Sequence, residues 1–283
     1  MDPVAFRLGP LQVHWYGILI VGGAVLGAFV AARLARRAGE NPDHVWNMLT
    51  VVLLLGIVGA RLYHVFSRPS GGFIGWDYYR EHPIEIIAFW NGGFRGLGLY
   101  GGIIGGLIGL WLYTHFAKLR FFRWTDFGAP GLLLAQAIGR WGNFINQELY
   151  GPPTTLPWGI AIDCQHRFGD YLCPPMGTVP ADARFHPTFL YESLWNLLGF
   201  GLLMLLALRF GKRLREGDLL AAYLIWYPLG RFWIELFFRP DAWVWGSLPM
   251  ASIISLVAIA LGVAGLVYNH RFRPRPSPAR SGR

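Results

Sequence analysis

The run Gly131-Leu-Leu-Leu-Ala-Gln-Ala-Ile138, followed at once by Gly139-Arg-Trp-Gly-Asn-Phe-Ile-Asn-Gln-Glu-Leu-Tyr-Gly151, decides how this chain is read. An apolar segment passes without a break into a guanidinium, several carboxamides and a carboxylate. Polar groups at a membrane edge are costly and persist only where protein or water satisfies them, so such a cluster is a functional-site hypothesis by default. The remaining sequence reads as the scaffold around it.

That scaffold has the composition of a polytopic helical membrane protein. Hydrophobic residues make up 54% of the 283 and charged residues only 14%, whereas a water-soluble enzyme of this length carries far more charge. Repeated apolar runs of about 20 residues match a hydrocarbon core about 30 Å thick. The formal charge of +9 falls in short clusters between those runs, as in cytoplasmic loops, so it is assigned to topology and not to a nucleic-acid partner. The N-terminus lacks a basic n-region, and no small-residue cleavage site follows the first apolar run, so the first span is expected to be retained.

The expected fold is all-α, with about seven transmembrane helices at roughly 16–34, 46–66, 97–116, 127–138, 188–208, 219–238 and 248–268, forming one integral-membrane catalytic domain over 1–268. Arg33, Arg36 and Arg37 close the first span, Lys118, Arg120 and Arg123 the third, and Arg209, Lys212, Arg213 and Arg215 the fifth, while a basic tail, 269–283, follows the seventh. Basic clusters after the odd spans put the N-terminus outside and the C-terminus and its tail in the cytoplasm. Residues 67–95, with Pro69, Gly71, Gly72, Trp76 and Tyr78, read as an amphipathic, arm-like connection on the membrane surface. Residues 152–187 read as an extracytoplasmic insert, and residues 1–14 as a short polar lead. Gly101, Gly105 and Gly109 recur every four residues, a spacing that lets a neighbouring helix come close. The fourth span is short and contains Pro130; it is expected to stop at the membrane edge, with Gly139 and Gly142 loosening the helix.

Arg140, Asn143 and Gln147 are spaced by three and seven and share one face if the helix continues, with Glu148 close by. The bland alternative is an ordinary helix end, where the arginine snorkels to the interface and the amides cap backbone. Arg231 and Glu235, four apart just after Pro228, repeat the theme; alone they read equally as a self-neutralising pair or as function. Two arginines from different spans on the same side make a phosphate clamp, because guanidinium presents paired donors to phosphate oxygens. In a membrane the phosphate at hand is a lipid headgroup. Cys164, Cys173, His166 and His186 admit a zinc site or a disulfide: the spacings match no usual zinc pattern, and an exterior insert favours the disulfide.

The stretch from Gly139 to Gly151 resembles the signature of the prolipoprotein diacylglyceryl transferases, and four further motifs follow that family's order. His14-Trp-Tyr-Gly17 is similar to its first-span motif, and Trp90-Asn-Gly-Gly93 with Leu99-Tyr-Gly-Gly-Ile-Ile-Gly105 to its glycine-rich third span. His186-Pro187 with Tyr191-Glu192 resembles the start of its fifth span, and Gly230-Arg-Phe-Trp-Ile-Glu-Leu-Phe-Phe-Arg-Pro-Asp241 its sixth-span motif. The resemblance implies a transferase of the bacterial cytoplasmic membrane, without cofactor or metal. Its substrates would be phosphatidylglycerol and a prolipoprotein signal peptide, whose lipobox cysteine thiol receives the diacylglyceryl group while glycerol 1-phosphate leaves. By the match, Arg140 and Arg231 hold the phosphate and stabilise its leaving charge. Asn143, Asn146 and Glu148 organise the headgroup, Tyr16 and Gly151 belong to the same lipid site, and Glu235 orients Arg231. Tyr100 stands where some family members have a histidine proposed as general base. A phenol with its ordinary pKa near 10 is a poor base at neutral pH. The proton acceptor is therefore left open among Tyr100, Glu148, Glu235, His14 and His186, or the thiol ionises unaided beside the arginines.

The competing class is a membrane transporter for a small anion or lipid, since arginine-lined broken helices also build transport sites. Against it, the two halves show no internal repeat, and the polar clusters lie at one face and not at the midplane.

Overall fold

A computed structural model describes residues 2–9, 11–67, 75–88, 96–239 and 244–273. Pro69, Gly71, Gly72, the motif Trp90-Asn-Gly-Gly93, Asp241 and the tail beyond 273 lie outside the described residues.

The lead is not merely polar: it is a hairpin of β1 (Val4–Leu8) and β2 (Leu11–His14) that feeds directly into α1 (Trp15–Arg37). Then come α2 (Asp43–Phe66), the single turn α3 (Trp76–Tyr79), α4 (Leu99–Phe116) and α5 (Phe121–Asn146). The insert pairs β3 (Ile160–Ala161) with β4 (Arg184–Phe185) and leads into α6 (Thr188–Phe210) and α7 (Asp218–Phe238). A last small hairpin, β5 (Val244–Trp245) and β6 (Leu248–Pro249), precedes α8 (Met250–Val267).

Five of these helices, α1, α2, α4, α6 and α8 with its continuation to Phe272, are long and apolar enough to cross a membrane, so the chain is a helical, polytopic membrane protein as expected. The two other long helices, α5 and α7, each carry an internal proline and the arginines of the suspected site. Part of their polarity is the charged residues Arg140, Arg231 and Glu235.

α5 overturns the expectation of a short fourth span. It runs unbroken for 26 residues through Pro130, Gly139 and Gly142. Gly142 and Gly131 serve approach, not looseness. A Cβ on Gly142 would run into the ring of Tyr16, and one on Gly27 of α1 would stand 2.6 Å from the Gly131 carbonyl oxygen. Neighbouring helices that pack this closely support a proline-containing helix in a bilayer. The helix stops instead at Gln147, which adopts the left-handed conformation (φ 53°, ψ 42°) common at helix C-termini. The spacing of Gly101, Gly105 and Gly109 does what was expected: a Cβ on Gly101 or Gly105 would strike the carbonyls of Gly59 or Leu55, so α4 lies directly on the α2 backbone.

Side chains fix the loop ends. Asp126 on α5 accepts from the backbone N–H groups of Gly217 (2.7 Å) and Leu220 (2.9 Å), capping α7 from another helix. In the arm, Arg61 donates to the carbonyls of Glu85 (2.5 Å) and Ile86 (2.8 Å) and sits over the Tyr79 ring at 5.0 Å. The insert folds on Tyr150, Ile162 and Phe185, with the Arg167 guanidinium donating to the carbonyls of Ile162, Pro180 and Ala181.

Candidate active site

Three helices bring four charges together. Arg140 lies near the end of α5, Glu192 near the start of α6, and Arg231 and Glu235 on α7 just past Pro228. One oxygen of Glu192 pairs with Nη2 of Arg140, and the other accepts from Nη1 of Arg231 at 2.6 Å. Nη2 of Arg231 donates to Glu235. The result is an alternating row, Arg140, Glu192, Arg231, Glu235, whose carboxylates are only 4% and 5% exposed. Buried ions are tolerated only when paired, and the alternation leaves none of the four uncompensated.

Amides continue the row toward the surface. Arg140 donates to Oδ1 of Asn143 at 3.3 Å; Nδ2 of Asn143 donates to Glu148 at 2.8 Å, and that of Asn146 to the same oxygen at 3.3 Å. Arg140 and Asn143 thus share a face, as their spacing indicates. Gln147 does not join them, because the helix ends there. Its amide instead makes a two-way bond with Asp163, donating to the carboxylate at 2.5 Å and accepting from the backbone N–H at 2.7 Å. That bond fastens the insert to the rim of the site.

Tyr16, at the start of α1, rests its ring on Gly142 and stands beside Asn143, within electrostatic reach of Arg140 and Glu148. Gly151 is buried, and a Cβ there would lie 2.8 Å from Cβ of His186 and 3.3 Å from the Phe238 carbonyl oxygen; the residue lets the chain close over α7. Tyr100 sits apart on α4 with its ring 6.0 Å from that of Tyr63, and no hydrogen bond or ion pair among the described residues ties it to the charged row. His14 is the exposed residue preceding α1. Nδ1 of His186 lies 3.0 Å from the Tyr191 hydroxyl, and burial lowers the pKa of the ring below the usual histidine value. Cys164 and Cys173 form a disulfide with a Cα–Cα distance of 5.6 Å, so they supply no thiolate for zinc.

Glu192 carries no assigned role in the sequence motif, although the structure makes it the centre of the row. The signal was present: it is the only carboxylate in the 23 residues of α6, and an acid in a span needs a partner.

Apolar helices that hold paired guanidinium and carboxylate groups, linked through an amide to an exposed carboxylate, define a class: a polytopic membrane protein with a charged site at one end of its bundle. Within that class the chain belongs to the prolipoprotein diacylglyceryl transferase family, whose model matches residues 3–268. It is therefore a transferase. Among its relatives, the phosphatidylglycerol–prolipoprotein diacylglyceryl transferase of Chloroflexus aggregans is 43% identical over 277 residues, covering 93% of this chain and 87% of the relative. The enzymes of the same name from Nostoc sp. and Lysinibacillus sphaericus are 40% and 38% identical, each alignment covering 98% of this chain and 92% and 95% of the relative.

Proposed function

We propose that this protein transfers the diacylglyceryl group of phosphatidylglycerol to the lipobox cysteine of prolipoproteins. The observation that carries the site is Glu192 holding Arg140 and Arg231 from two different helices at once. The reaction forms a carbon–sulfur bond and breaks the carbon–oxygen bond between the diacylglyceryl carbon and the phosphate, which departs with the bonding pair as glycerol 1-phosphate. Charge accumulates on the leaving phosphate, and two preorganised guanidiniums stabilise it where it develops. Each arginine keeps its Nε–H free of protein partners among the described residues, so a phosphate can be met without dismantling the row.

Glu235 orients Arg231, and Glu192 sets the separation of the two arginines. Asn143, Asn146 and Tyr16 line the approach from the surface, and Gly151 lets the rim close. Glu148, exposed and, among the described residues, bonded through one oxygen, takes the thiol proton, the arginines having drawn the thiol toward its thiolate. All seven long helices cross the bilayer, with the N-terminus and the insert outside and the C-terminal end of α8 in the cytoplasm. The row then opens toward the outer leaflet of the bacterial cytoplasmic membrane, the side on which an exported precursor presents its cysteine. The transporter reading gains nothing from the geometry, since Arg140 and Glu192 lie near the ends of their helices.

The test is reconstitution of purified protein with phosphatidylglycerol and a lipobox peptide. The expected result is a diacylglyceryl mass gain on the peptide with release of glycerol phosphate. Arg140→Ala and Arg231→Ala should each cut the rate about 10²–10³-fold, the usual effect of removing one donor to a developing anion. Undiminished transfer by either variant contradicts the assignment.

A further inference from the structure

At the opposite end of the bundle from the charged row lies a cavity of about 840 Å³, with charged and apolar walls, between the last turn of α1, the start of α5 and the turn joining α6 to α7. Arg123 borders it, and the 17 residues from there to Arg140 put the two sites about 25 Å apart along α5. Two acids line it, and both are engaged: Asp126 caps α7, and Glu216 pairs with Arg120 at 2.5 Å and lies 3.7 Å from Arg123. Arg123 also pairs with Glu40 at 2.6 Å, and Arg215 donates to the carbonyls of Asn269 and Arg273. Four exposed cations on the rim, Arg37, Arg209, Lys212 and Arg213, have no acidic partner among the described residues. Below them the wall is apolar, built from Leu34, Phe127, Ala207, Leu214 and Leu219.

We propose that this cavity binds an anionic phospholipid, its phosphate on the four rim cations and its chains against the apolar wall. Uncompensated cations over an apolar wall between helices match an amphiphile with a negative head, and basic pockets of this kind hold anionic headgroups. The inference is independent of the proposed transfer reaction. The leaflet concerned, the cytoplasmic one, follows from the proposed orientation, which the binding test does not require.

The test uses the full chain in detergent and native mass spectrometry with dioleoyl phosphatidic acid, whose headgroup carries no glycerol to release, and dioleoyl phosphatidylcholine as the zwitterionic control. Wild type should retain phosphatidic acid, and R37Q/R209Q/K212Q/R213Q should bind it at least about 10-fold more weakly. In the Arg140→Ala variant, which weakens phosphate binding at the charged row, phosphatidic acid should still be retained, and adding Ala207→Trp, which fills the apolar wall and leaves the rim intact, should abolish that retention. If the quadruple variant fails to fold, Arg213→Gln and Ala207→Trp decide. Equal retention by rim variants and wild type, equal retention of phosphatidylcholine, or loss with Arg140→Ala overturns the proposal. Displacement by millimolar inorganic phosphate, with Ala207→Trp unaffected, also overturns it and marks a site for a free anion.

Discussion

Glu192 has two oxygens and gives one to each arginine. Replacing it by Gln removes a charge while keeping the shape, leaving two half-buried guanidiniums with too little compensation, a loss that for a fully buried pair costs about 3–5 kcal/mol and here somewhat less. Glu192→Gln should therefore lower the melting temperature and reduce transfer about as much as Arg231→Ala does; full activity in this variant would remove Glu192 from the site. Arg231→Lys should not rescue function, because Arg231 meets Glu192 and Glu235 through two different nitrogens and an ammonium cannot reproduce that fork. Tyr100→Phe should retain substantial transfer, since the ring neighbours Tyr63 and not the charged row; near-complete loss at normal expression would give the phenol a catalytic part. His186 supplies a pH signature. Burial lowers its pKa, so the folded state prefers the neutral ring, and the stability this contributes is present above the ordinary value of 6.5 and lost as pH falls toward the folded pKa. Melting temperatures across that range should drop in wild type and drop less in His186→Asn.

Helix–helix contact was partly legible. The four-residue glycine spacing of α4 announced a close neighbour, and α2 is that neighbour. The same residue type misled in α5, where Gly139, Gly142 and Pro130 read as breakers. Local propensity carries no knowledge of the ring or backbone that a missing Cβ admits, and Tyr16 and Gly27 are remote in sequence. Gly27→Leu should separate α1 from α5 and lower both yield and melting temperature, whereas Gly128→Leu, where a Cβ meets nothing within 4 Å, should be tolerated. The Asp126 cap was invisible for the same reason, its acceptors serving N–H groups some ninety positions away. Asp126→Ala should cost about 1 kcal/mol, the usual worth of a cap, read as a lower melting temperature with transfer largely preserved. Arginines in apolar surroundings were the most legible of all, because a charge in a span has few explanations.

At the scale of the molecule, the insert is stapled to itself by Cys164–Cys173 and to the site by Gln147 and Asp163. Thiol counting on intact membranes should find no free thiol without reductant and two with it. Reductant should loosen the insert before the bundle, since a short disulfide loop contributes about 2–3 kcal/mol locally. The insert's own fold was not legible, for its core of Tyr150, Ile162 and Phe185 is assembled from residues without periodicity. The sharing of one carboxylate by two arginines also bears on descent. Removing Glu192 takes the shared partner from both arginines at once, so substitutions among Arg140, Glu192 and Arg231 should be epistatic and not additive in their effect on transfer. Once Glu192 is lost, a further loss of Arg140 should add little, so a lineage that leaves this arrangement should pass through variants of much reduced activity.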